Sequence, residues 1–239
     1  MKHKKQNLAN RLEELNERKI EEICEPQESH QKGLESPAAQ FERQKQQIKD
    51  FYKNCTDSMS QAFQIIIEKL VAANDFETIN ELLQGAKRLK NQISKLSDQE
   101  ILDFSYLDNQ NLASLCGYNE ELINKLYQIG VTCLESKDLS HAAKIFTLII
   151  LLDPGYSSVW ITLGITLEQE KKWNEALDIF DIAISLDAEN PLPYWHKAIC
   201  YKESGLKKEA KKAQDEAHAK ALADAKYAEF AESIKNEKI

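Results

Sequence analysis

From about residue 57 onward, apolar residues recur at helical spacing and polar residues fill the positions between. Met59, Ala62, Phe63, Ile66, Ile67 and Leu70 mark one helix face behind a cap at Asp57 or Ser58. A second helix runs from Asp75, as a cap, through Phe76, Ile79, Leu82 and Leu83 to about Ile93, with Gly85 as an interruption. Ser97 to Glu100 opens a short helix ending near Leu107, and Asp108 to Tyr118 reads as a polar connection. Beyond it the pattern becomes periodic. Leu126, Trp160 and Tyr194 are 34 positions apart, as are Gly130, Gly164 and Ala198, and Ala142, Ala176 and Ala210. A period of this length is one helix pair that buries its apolar face by stacking on the next pair.

The boundaries within each period are legible. Asn119 caps a first helix, Ser136-Lys137-Asp138 turns the chain, and Leu139 to Leu152 forms a second helix ending at Asp153-Pro154-Gly155. The second period runs from Ser157 to Asn190 and turns at Lys171-Lys172. The third opens on Asn190-Pro191-Leu192-Pro193, where first-turn amides have no helical partner to lose, and turns at Ser204-Gly205. From Lys207 the chain is rich in Ala, Lys and Glu, and reads as a helix with a stripe at Ala213, Ala217, Ala221, Ala225 and Ala228. The small residues let paired helices approach, and Phe146, Phe180, Trp160 and Tyr194 fill the gaps between pairs.

These positions resemble the tetratricopeptide repeat over about residues 123–224. Trp160, Leu163, Gly164, Ala176, Phe180 and Ala183 give the fullest match. The first repeat has Leu126 and Cys133 in place of aromatic residues. The third departs at Lys197 and Gln214, as a terminal repeat facing solvent would. The expected architecture is all-α: three repeats in a right-handed superhelix, flanked by N-terminal helices and a long C-terminal helix. The expected organisation is a charged, flexible or partly helical arm over 1–50 and a helical region over 51–118, a candidate dimerisation element. The repeats follow over 119–224, and a C-terminal helix over 207–239 continues from the last of them.

Charge narrows the choice of partner. Residues 1–50 hold 10 Lys+Arg and 10 Asp+Glu, 205–239 hold 8 and 7, and 51–204 hold 13 and 22, a balance of −9 within a total of −8. Acidity in the folded part disfavours nucleic acid, which needs a basic face. The first 50 residues have little apolar surface beyond Leu8, Leu12 and Leu15, and 27–37 reads as a linker. Cys24, Cys55, Cys116, Cys133 and Cys200 lack metal or redox spacing and read as free thiols. The start has no signal-peptide core, and the longest apolar run, Ile145 to Leu152, is too short to span a bilayer. The expected setting is cytoplasmic, without stable membrane insertion. No phosphate loop, metal-ligand pair or nucleophile motif is present, so neither enzyme nor cofactor is expected; His196 reads as a hydrogen-bonding side chain.

In the repeat family resembled, positions 5, 9 and 12 of each first helix line the concave side. Here these are Tyr127, Val131 and Leu134, then Ile161, Ile165 and Glu168, then Trp195, Ile199 and Lys202. All but Glu168 and Lys202 are apolar, which suits a peptide-binding groove for an extended segment with aliphatic or proline anchors. The competing reading is that a terminal helix of the same chain covers the row. Tyr127, Val131, Thr162, Leu192 and His196 supply no fixed positive charge, which disfavours a clamp for an acidic C-terminal tail. The run Leu126-Tyr127 through Gly130 and Phe146 to Leu152-Asp153-Pro154 is similar to the class II chaperones of bacterial type III secretion. So is Asn190-Pro191-Leu192-Pro193 followed by Ala198, Cys200, Gly205 and Ala210. That resemblance implies a small cytoplasmic chaperone that holds a segment of a secreted translocator and often dimerises through N-terminal helices. The chain exceeds that pattern by about 50 N-terminal residues and carries a bulky Trp195. A general scaffold or adaptor is the alternative.

Overall fold

The computed structural model describes residues 59–95 and 111–237. The expectations for residues 1–58 and for the short helix beginning at Ser97 lie outside them. The described residues are helical throughout, with no strand. The chain divides into two compact units, Met1–Gly155 and Tyr156–Ile239, each described by itself below.

In the first unit, α1 spans 59–72, with Ala62, Ile65, Ile66 and Leu70 buried. It turns through Asn74, at φ 56, into α2 (Phe76–Lys95). Asp75 caps α2: its carboxylate accepts from the Thr78 amide at 3.1 Å and the Thr78 hydroxyl at 2.7 Å. Lys125 adds bonds to Thr78 Oγ1 at 2.7 Å and Asp75 Oδ2 at 3.2 Å. These acceptor contacts hold the Asp75 carboxyl below its ordinary range, the Thr78 amide contributing most.

Gly85 does not interrupt α2, contrary to the reading of the sequence. It is a notch: a methyl group there would lie 2.0 Å from Cε1 of Tyr118. The Tyr118 hydroxyl donates to the Leu82 carbonyl at 2.8 Å, so ring and hydroxyl together fix the contact. The inward face of α2 is Thr78, Leu82 and Gly85, whereas Phe76 and Leu83 are 61% and 57% exposed. The polar connection before Tyr118 also holds a helix, α3 (Leu112–Cys116), capped by Asn111 and closed by Gly117 at φ 68.

α4 (Glu120–Glu135) and α5 (Leu139–Leu152) form the first repeat, with the expected limits. The Asn119 side chain accepts from the Leu122 amide at 2.8 Å. Every residue from Ile145 to Leu152 is buried, which accounts for that apolar run.

The second unit contains α6 (Ser157–Gln169), α7 (Trp173–Leu186), α8 (Pro191–Glu203) and α9 (Lys207–Ala223). A 3₁₀ turn (Ala225–Tyr227) and α10 (Ala228–Asn236) follow. The expected helix to residue 239 therefore ends at Ala223. Asp224 is extended, at φ −128 and ψ 119, and its carboxylate accepts from the Lys226 amide at 3.0 Å. The alanine stripe stops at the same place: Ala213, Ala217 and Ala221 are buried, Ala225 and Ala228 exposed.

Two devices recur at the repeat period. The first is a glycine in the first helix facing a phenylalanine in the second. A methyl group would lie 2.6 Å from Phe146 Cε1 at Gly130, and 2.4 Å from Phe180 Cε1 at Gly164. Both rings are fully buried. The third repeat has Ala198 and Gln214 at these positions, so the residue with a Cβ occurs where the ring is absent. The second device is the turn. Lys137, Lys171 and Gly205 are left-handed, at φ 62, 62 and 78. The following amides, of Asp138, Lys172 and Leu206, reach back to the carbonyls of Cys133, Leu167 and Tyr201 at 2.8–2.9 Å, a Schellman closure.

Gly164→Ala forces a methyl group into a filled core and lowers unfolding free energy by about 1–3 kcal/mol, measured by urea denaturation. Lys171→Gly acts in the opposite direction. A lysine in the left-handed region pays a steric cost that glycine does not, so the substitution gains about 1 kcal/mol and raises the melting temperature.

Candidate functional site

The first unit carries Tyr127, Val131 and Leu134 on α4. All three are half-buried, on the side away from fully buried Leu126 and Cys133. The Tyr127 ring is tilted against Phe146, with centroids 5.7 Å apart. The ring that Gly130 admits therefore also backs Tyr127.

The second unit carries the remaining positions. Ile161 is buried, at 6% exposure, while Ile165 and Ile199 are half-buried. Trp195, expected to line a groove, is a core residue instead, at 8% exposure. It packs with Ala217, Ala221, Ala231 and Ile234, and Ile199 borders the same cluster. The Phe230 ring stands edge-on to Trp195, with centroids 6.2 Å apart. The physical reason is the break at Asp224, which returns α10 to this face. The reading in which a terminal helix covers the row thus holds for the third repeat.

The second unit also contains a buried polar arrangement. His196 Nδ1 lies 2.7 Å from Glu168 Oε2, and the two side chains are 18% and 15% exposed. The carboxylate can only accept, so Nδ1 carries the proton in this contact. The imidazole stacks on Phe180 at 5.6 Å and 18°. This pair ties α6 to α8 beside Ile165. Lys197 is paired with Asp181 and Gln214 is 5% exposed, so neither departure from the repeat pattern faces solvent as expected. Gln214 Nε2 donates to the Ile234 carbonyl at 2.9 Å and the Glu237 carbonyl at 2.7 Å. The Thr162 hydroxyl, at a clamp position, donates within its own helix to Ser158 O at 2.9 Å.

Cys200 lies one helical turn from His196 but is fully buried, and burial, aided by the Glu168 charge, pushes its thiol up to about 12. Cys116 is likewise raised by burial, to about 11. Among the described residues no group of three or more His, Cys, Asp or Glu side chains is placed to hold a metal ion, and no helix is long and apolar enough to cross a membrane.

With this geometry the chain can be compared with known proteins. No protein-family model matches it. A type III secretion complex from Aeromonas hydrophila superposes with TM-score 0.53 at 23% identity, over 58% of this chain and 91% of its own. The CopN-Scc3 complex gives 0.51 at 23%, over 64% and 98%. SycD, a type III secretion translocator chaperone from Yersinia enterocolitica, gives 0.51 at 19%, over 53% and 95%. Cell division cycle protein 27 homolog B of Arabidopsis thaliana is 35% identical over 75 residues; the match covers 31% of this chain but spans only 10% of that protein. The chain has a tetratricopeptide-like fold. It resembles, in that fold, the translocator chaperones of type III secretion.

Reading the repeat positions in sequence did not find the Glu168–His196 pair, because its members are 28 residues apart rather than a full period. The signal for Gln214 was present: a polar residue stands where Phe146 and Phe180 stand in the other repeats.

Cys200 should stay unlabelled by a thiol reagent at pH 8 in the native protein and react once the second unit is unfolded, as mass spectrometry of the labelled peptide reports. The sign of the pH dependence comes from the same burial. The folded state holds the Cys200 proton above the ordinary thiol value of 9.0, so this contribution to stability is complete below pH 9 and is lost as pH rises toward about 12.

Proposed function

We propose that this chain is a non-catalytic binding protein, a chaperone that holds an extended apolar segment of a protein client, with a secreted translocator as the client class. The observation that carries the reading is that each unit, taken by itself, keeps half-buried apolar side chains on a first helix. These are Tyr127, Val131 and Leu134 in one unit and, in the other, Ile165 near buried Ile161. The fold of SycD, itself a translocator chaperone, supports the assignment to that class. The burial that holds the Cys200 thiol protonated supports a non-catalytic role.

The energetics suit a client that must be released. Burying roughly 300–500 Å² of apolar surface at ~25 cal/mol/Å² is a gross gain near 10 kcal/mol. Ordering the segment and losing its translational freedom remove much of this, leaving affinity on the order of micromolar. The cytoplasm is the compartment such a role implies.

A second reading, a scaffold or adaptor that acts through its N-terminal region, rests on α2. Phe76 and Leu83 are two turns apart on one face and largely exposed, with Val71 48% exposed on α1. A homodimer formed through this face is one form of it.

An array of extended peptides with aliphatic or proline anchors two to three residues apart separates the readings. The wild type should bind a subset at micromolar concentration. Tyr127→Ala/Val131→Asp/Ile165→Asp, checked for retained helicity, should lose at least about tenfold, equivalent to 1.4 kcal/mol. Phe76→Asp/Leu83→Asp should bind as wild type does. Equal binding by the groove variant sinks the chaperone reading, and loss of self-association in the α2 variant alone favours the scaffold.

A further inference from the structure

The surface beneath α10 has the form of a helix-binding site. Its floor is Trp195 and Ile199 from α8, which hold two first-helix positions of the third repeat, with Ala217 and Ala221 from α9. The alanines have no bulk to hold a second helix away, and the indole supplies a wall. On α10 the side chains that meet this floor are Phe230, Ala231 and Ile234, preceded by Tyr227. Their spacing is that of one face of an amphipathic helix, the pattern by which a helix docks in a groove. The other face carries Glu229, Glu232 and Lys235, all exposed.

The attachment of this helix is weak by construction. α10 has nine residues, below the length of about 12–15 at which an isolated helix persists in water. Only Ala231 and Ile234 in it are buried. It joins α9 through extended Asp224 and one 3₁₀ turn, a link that can swing without disturbing α9. One side chain, Gln214, ties down its C-terminal end through the carbonyls of Ile234 and Glu237. Gln214 stands at the register position where the other two repeats have a buried phenylalanine, so the third repeat has a latch in place of a packing ring.

We propose that α10 is a lid bound in cis on a helix-docking surface made by Trp195, Ile199, Ala217 and Ala221. When the lid opens, the same surface accepts an amphipathic helix of a protein partner with apolar anchors at i, i+3 or i+4, and i+7. This site is separate in kind from the extended-segment binding proposed above and does not depend on it. The Gln214 latch sets how often the surface is free, and local opening of a marginal element is the step that exposes it.

Hydrogen exchange on the full wild-type chain tests the lid. Amides of 230–236 should exchange at least 100-fold faster than interior amides of Lys207–Ala223. Equal protection of the two segments means that α10 opens only when the unit unfolds, and overturns the proposal. The docking surface is tested with a labelled peptide of residues 224–237 of this chain. The probe should bind the full chain carrying Ile234→Asp, whose own lid is weakened while the docking surface keeps Gln214, at least tenfold more tightly than wild type, and the same peptide carrying Ile234→Asp should not bind. The Tyr127→Ala/Val131→Asp/Ile165→Asp variant should take up the probe as wild type does, which distinguishes this site from the extended-segment site. An Ile234→Asp protein whose α9 amides remain protected, yet which binds the probe no better than wild type, also overturns the proposal.

Discussion

The fold depends on one contact: a phenylalanine ring from the second helix of a repeat seated where the first helix has no side chain. At Gly130 and Gly164 the ring occupies the volume a methyl group would need, and the ring is fully excluded from water. This lets two helices approach closely while a large apolar surface is removed from solvent. A third glycine uses the same geometry outside the repeats, since Gly85 receives Tyr118 and the hydroxyl of that residue locks the seat through the Leu82 carbonyl. Interior packing at this density leaves no slack, so the identity of one small residue decides whether two helices can meet.

In the third repeat this contact is missing, and the packing changes with it. With Ala198 and Gln214 in register, no ring fills the notch, and the freed position carries a polar side chain. A buried amide must find partners, and it finds the last carbonyls of α10. The end of the chain is thereby returned to Trp195, and a residue that would otherwise lie on an open face becomes core. The apolar face of α8 is occupied by the chain itself. The corresponding positions on α4, and Ile165 on α6, stay half-buried. Half-burial and self-coverage of first-helix positions go with different residues at the same repeat position.

The contrast between elements explains how much was legible beforehand. Helices α4 to α8 were readable to the residue or nearly so, because each is bounded by a cap, a turn or a proline acting within a few residues. Asn119 and Asn190 accept from amides two or three positions on, and the three turns close by bonds that span five residues. Gly85 was misread because its propensity cost is local, whereas its compensation, the Tyr118 ring, lies 33 positions away. The end of α9 was missed for a related reason: alanine and lysine continue through Ala225 and Lys226, and the departure at Asp224 depends on the surface that α10 finds when it returns. Trp195, Lys197 and Gln214 were assigned to a groove or to solvent by register alone, which gives the side of a helix and not what covers it.

The sequence by itself determined the helices, their pairing and the small-residue positions at which they pack, because capping, turn chemistry and apolar periodicity act over a few residues and repeat every 34. It also showed that position 214 differs, but it placed the rings at 146 and 180 between pairs, whereas they seat on the glycines within a pair. Only the tertiary structure decided which of the apolar first-helix positions remain open. Exposure is a property of what returns to a surface, and return depends on contacts between residues such as Trp195 and Ile234, 39 positions apart, that no local rule couples.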